Sequence, residues 1–175
     1  ANVKAMAEYT CNMAMINLER QNALDLMNLK TPPPSRYDAM IAKTTECINT
    51  VGPSALAYNY RAEAYFTKGN IQAALADFET AISTHKTEKS PIVGLSEIYE
   101  SRADLFIRAG ERAKAEADLR EAVRLDPSDY TAKDKLDNLD RKIAEERKKS
   151  ILANPRTAQD FIVVGNDSWN RGKID

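Results

Sequence analysis

Small and large apolar residues recur along this chain at fixed distances, and they do so twice in the same order. The first run reads Tyr58, Arg61, Ala62, Tyr65, Gly69, Ala74, Phe78, Ala81. The second reads Tyr99, Arg102, Ala103, Phe106, Gly110, Ala115, Leu119, Ala122 and closes at Pro127. Matching members stand 41 residues apart. Within each run the apolar positions return every three or four residues, which is the period of one helical face. A glycine divides each run. The pattern therefore predicts two helix pairs, 55–68 with 71–84 and 91–109 with 111–125. Gly69 and Gly110 are placed at tight turns that call for positive φ. Ala62 and Ala103 are small where paired helices approach closely, as are Ala74, Ala81, Ala115 and Ala122 on the second helices. Tyr58, Tyr65 and Phe78, then Tyr99, Phe106 and Leu119, fill between pairs.

Upstream the pattern loosens. Val3, Met6, Tyr9, Met13, Ile16, Leu18, Leu24 and Met27 recur at spacings of two to six, predicting one helix over 3–29 with no narrow stripe. Thr31-Pro32-Pro33-Pro34-Ser35 breaks it, because consecutive prolines cannot carry a helical ladder. A helix over 36–50 follows, with Ala39/Met40, Thr44 and Cys47/Ile48 on one face. If these two helices fold back symmetrically across the proline run, Cys47 meets Leu18. Cys11 then lies about 10 Å further along at 1.5 Å per residue, so no Cys11–Cys47 bridge is expected.

Downstream, Ser54 and the Ser90-Pro91 pair read as helix starts. The 41-residue spacing reads as a second repeat with a lengthened first helix. Residues 129–152 hold a single apolar line, Ala132, Leu136, Leu139, Ile143 and Ile151, among alternating charges, and predict one long helix. Asn154-Pro155 ends it. A final helix is expected over 158–170, where Phe161, Val164, Gly165, Ser168 and Gly172 begin a third copy that stops halfway.

Composition narrows the function more than the fold. The chain has 175 residues, 29% of them charged, at a net charge of −1, so no global field draws nucleic acid or anionic lipid. The basic cluster at Arg141-Lys142 and Arg147-Lys148-Lys149 is interrupted by Glu145, Glu146, Asp137 and Asp140 and reads as a solvated, ion-paired helix. No apolar run approaches a membrane span. His85 stands among polar residues, and with two cysteines it makes no metal site. No phosphate loop, HExxH, GxSxG or CxxC occurs. The chain is therefore expected to be no enzyme, and no cofactor is expected. Unpaired cysteines favour a reducing cytoplasm. The start at Ala1 without Met would suit the less favoured alternative, a processed, exported protein.

The repeated spacings resemble the tetratricopeptide repeat, a helix–turn–helix unit of 34 residues. The resemblance implies an all-α, right-handed superhelical solenoid of antiparallel helix pairs. The expected layout is a single domain over 1–175: a degenerate hairpin at 1–52, repeats at 54–87 and 91–129, a charged helix at 129–154 and an incomplete repeat at 157–175. Arg61 and Arg102 stand where the family usually has Leu. Their stems are expected to cover apolar surface while their heads reach solvent.

The family places a partner in the groove lined by first helices. The resemblance carries that role to Asn59, Glu63 and Phe66, to Glu97, Glu100, Asp104 and Ile107, and to Ile162, Asn166 and Trp169. This set implies a protein-binding scaffold with an acidic, partly apolar groove for a basic and apolar peptide. Family members that hold acidic chaperone tails use Lys, Asn and Arg in the groove. The matching positions here are Asn59, Glu63, Tyr60, Glu97 and Ser101, so that ligand is not expected. An alternative is a structural subunit that assembles with itself through residues 158–175.

Overall fold

The computed structural model describes residues 2–88 and 92–154. Among them are seven α-helices and no strand: α1 (Asn2–Met27), α2 (Pro34–Val51), α3 (Ala55–Thr67), α4 (Ile71–His85), α5 (Leu95–Ala109), α6 (Arg112–Leu125) and α7 (Tyr130–Ala153). Helices α1–α6 belong to one compact unit that runs to Ser128, and α7 belongs to a second unit from Asp129 onward. Asp129 caps α7, accepting from the backbone N–H groups of Thr131 and Ala132. Ala132 and Leu139 are its buried residues. The expected half-repeat at 157–175 lies outside the described residues.

The first unit is three antiparallel hairpins, α1–α2, α3–α4 and α5–α6. Successive hairpins pack so that α1 meets α3 and α3 meets α5. The predicted small residues are where the helices touch. Ala62, Ala74, Ala81, Ala103, Ala115 and Ala122 are all fully buried, as are Phe78 and Leu119. Both glycine turns close the same way. Gly69 has φ +81° and Gly110 has φ +77°. Asn70 N–H bonds to Tyr65 O at 2.8 Å, and Glu111 N–H to Phe106 O at 2.8 Å. This six-to-one bond needs the left-handed residue just before it.

Four expectations are corrected. Arg61 and Arg102 do not send their heads to solvent. Arg61 Nε and Nη2 grip Asp77 at 2.7 and 2.8 Å, and Arg102 grips Asp118 at the same two distances. Both aspartates are buried. A planar guanidinium matches a carboxylate at two points, and burial makes that match worth holding. The Ser54 side chain caps nothing; Glu88 Oε1 takes the Ala55 N–H at 2.8 Å. Little of the second repeat's extra length goes into its first helix. α5 starts at Leu95, beneath Gly94 in extended conformation, and spans 15 residues against 13 for α3. The surplus lies in the connection from α4.

The fourth correction is the register of the first hairpin. Cys11 and Cys47 are joined in a disulfide, with Cα atoms 5.7 Å apart. The chain does not reverse at the prolines. It reverses at Leu29, whose φ is +56°, and Lys30 N–H reaches back to Asp25 O at 2.8 Å. The proline run then climbs back along α1. Arg36 meets Gln21 O, Asn22 and Asp25. Cys47 is thereby brought about two turns nearer the N-terminus of α1 than a proline-centred fold gives. The pairing also removes the argument for a reducing compartment that rested on free thiols. On α1 the buried seam is Cys11, Met15 and Asn22, while Val3, Met6, Tyr9, Leu24 and Met27 face outward.

Candidate interaction face on the first helices

Three first helices, α1, α3 and α5, lie side by side and share one face. On it the structure gathers carboxylates from all three. Glu19 of α1 and Glu63 of α3 line a cavity of about 130 Å³ together with Asn22, Tyr37, Met40 and Tyr60. Glu97 enters from the first turn of α5. Their joint field is registered by Tyr60. Its hydroxyl is pushed up to about 12, first by burial and then by Glu63, Glu19 and Glu97.

Glu63 is the centre of the cluster. Its Oε1 accepts from Asn59 Nδ2 at 3.0 Å and from Ser101 Oγ at 2.8 Å, tying α3 to α5. Part of the residue reaches the surface, but the carboxyl lies deep in the packing. Desolvation raises its pKa to about 7, with Glu19 and Glu97 adding to the rise and the two hydrogen bonds opposing it.

The expected groove residues divide. Glu63 and Glu97 come together. Asn59, expected at the surface, is fully buried beneath Glu63. Its side-chain nitrogen is spent on Glu63 of the same helix rather than offered outward. Phe66 is covered by Arg108, whose guanidinium carbon lies 4.3 Å from the ring centroid. Glu100 and Asp104 are partly exposed, and Ile107 is 38% exposed. One repeat on, Glu100 and Asp104 occupy the places of Asn59 and Glu63. Ile162, Asn166 and Trp169 lie outside the described residues. The reading from sequence left out Glu19 and Arg108, and took Tyr60 and Ser101 only as missing cations. The signal for three of them was present. Glu19, Tyr60 and Ser101 are spaced by 41 residues, the repeat offset itself.

Among the described residues, no group of three His, Cys, Asp or Glu side chains is placed to hold a metal ion. No described helix is long and apolar enough to cross a membrane.

Residues 55–84 and 96–129 match the family model for the tetratricopeptide repeat. Over these two segments the chain is similar to that family. Solved structures agree. The first such domain of Spaghetti (RPAP3), bound to the HSP90 peptide SRMEEVD, is similar at TM-score 0.56 and 17% identity, covering 74% of this chain and 95% of that one. The first domain of human RPAP3 is similar at TM-score 0.57 and 16% identity, over 76% and 94%. The Arabidopsis OM64 domain gives 0.53 and 22%, over 74% and 96%. At such identities the likeness concerns the fold, an all-α helical-repeat solenoid. No curated protein matches the chain.

Proposed function

We propose that this protein is a binding scaffold whose α1–α3–α5 face holds a peptide or protein segment bearing basic and apolar side chains. It holds its partner and performs no chemistry on it. The observation that carries this reading is the meeting of Glu19, Glu63 and Glu97 from three successive hairpins on one face. Carboxylates so placed favour a cationic ligand and repel an anionic one. The apolar part of the ligand has Leu26, exposed at the cavity, to meet. The similar RPAP3 domain holds SRMEEVD, a peptide with three acidic residues. The same ligand would meet like charge here.

The test is a titration with two synthetic probes, one alternating lysine and leucine and the other SRMEEVD. The lysine probe is expected to bind and the acidic one not. Replacing Glu19→Lys and Glu97→Lys together turns two attractions into repulsions, each worth on the order of 0.5–1 kcal/mol. Affinity for the lysine probe should fall about tenfold. Tighter binding of the acidic probe to the wild type, or an affinity unchanged by the double reversal, would end the reading.

A further inference from the structure

Asn59 and Glu63 hold an unfinished pair. Asn59 Nδ2 donates to Glu63 Oε1 at 3.0 Å. Its other end, Oδ1, is buried with no hydrogen-bond partner. A buried amide oxygen without a donor is costly. A carboxylate cannot supply one, because it only accepts; a carboxylic acid carries an O–H. An acid and a primary amide lie edge to edge through two bonds, amide N–H to acid carbonyl and acid O–H to amide carbonyl. One half of that arrangement is already formed. Oε1 also takes the Ser101 hydroxyl from α5 at 2.8 Å, leaving Oε2 to carry the proton.

The surroundings select for the neutral form. From α1 comes Glu19 and from α5 comes Glu97, and both act on Glu63 with negative charge. From α3 comes Tyr60, and from α2 the Tyr37 side chain lines the same cavity. The arginines of α3 and α5 have other partners. Arg61 is held by Asp77 of α4 and Arg102 by Asp118, while Arg108 covers Phe66.

We propose that Glu63 is a proton switch in the α3–α5 joint. As the acid, it closes a two-point pair with the Asn59 amide. As the carboxylate, it leaves Asn59 Oδ1 unpaired and adds a negative charge to the shared face. The proton is exchanged with solvent water. Burial and the flanking carboxylates put the change of state at about 7. This switch concerns the protein alone and does not depend on a peptide occupying the face.

The sign follows from linkage. Glu63 holds its proton more tightly folded than unfolded. Stability is therefore highest below the ordinary glutamate range, falls as pH rises through 4.5 toward 7, and levels off above. Gln at this position keeps both bonds of the closed pair at every pH. The experiment follows the side-chain carboxyl 13C signals of the full chain, labelled at glutamate, from pH 4.5 to 8.5, with Glu63→Gln identifying the resonance. One signal should move with a midpoint near 7 and be absent from the variant. Melting curves at pH 5 and pH 8 give a second readout. Glu63→Gln should match the wild type at pH 5 and melt several degrees higher at pH 8. A Glu63 midpoint in the ordinary carboxylate range overturns the proposal. So does a melting difference that is the same at both pH values.

Discussion

The first hairpin and the two repeats are the same unit, two helices and a turn, but they are fastened by different means. In the repeats, an Arg on the first helix and an Asp on the second clasp across fully buried alanines. In the first hairpin, a disulfide and the Arg36 contacts do that work. One rule unites them. Arg61 and Asp77 lie equally far from Gly69, and Arg102 and Asp118 equally far from Gly110. Cys11 and Cys47 lie equally far from Leu29. Each hairpin is folded about its residue of positive φ. The difference lies in what makes that residue visible: glycine announces a left-handed turn, and leucine does not.

Breaking the covalent fastener should have the largest effect. The disulfide joins positions 36 apart in sequence, and closing such a loop in the unfolded chain is worth about 3–4 kcal/mol. Cys47→Ser, or reduction, should lower stability by that amount in urea unfolding. The loss should also be local. Amide exchange should quicken over 2–51 and stay slow in α3–α6. Equal quickening throughout would mean that the hairpin and the repeats form one cooperative block, and the comparison would fail.

The repeats' own clasp comes next. Arg61→Met strands the Asp77 carboxylate, whose side chain is only 10% exposed, and should cost about 2–3 kcal/mol because solvent reaches the site partly. Arg102→Met should cost about the same, since its geometry is the same. Arg61 additionally donates to Thr45 of α2 at 3.1 Å, so its loss should be slightly the greater. Asp77→Leu added to Arg61→Met should restore most of the stability, as an apolar pair of similar volume replaces the ions. If the two single losses differ by more than about 1 kcal/mol, the clasps are not equivalent despite their matched distances.

How much was legible follows from this contrast. The repeats were readable because the same small, large and glycine residues recur at one offset, and packing demands those sizes there. The clasp was half readable. Both arginines were seen, but Asp77 and Asp118, also 41 apart, were not joined to them because an acidic residue on a helix reads as solvated. α1 was misread because its apolar residues point outward and its buried seam is Cys11, Met15 and Asn22, the last of them polar. The carboxylate cluster was partly hidden for the same reason. Glu63 and Glu97 were placed on the face, but Glu19 sits on the helix whose register was wrong.

The smallest effect tests the shared rule most directly. Leu29 holds a left-handed conformation that costs an L-residue about 1–2 kcal/mol, and its side chain is 96% exposed, so removing it sacrifices no packing. Leu29→Gly relieves the strain but loosens the unfolded chain by roughly 0.5–1 kcal/mol. The net should be a gain of about 0.5 kcal/mol, read as a small rise in the urea midpoint at unchanged slope. Gly69→Ala should go the other way and lose about 1 kcal/mol, because nothing crowds its side-chain direction and only the positive φ opposes the substitution. Opposite signs at equivalent positions would establish that all three hairpins pivot on the same backbone turn. A loss at Leu29→Gly would show that the first hairpin is held by its disulfide and its prolines alone.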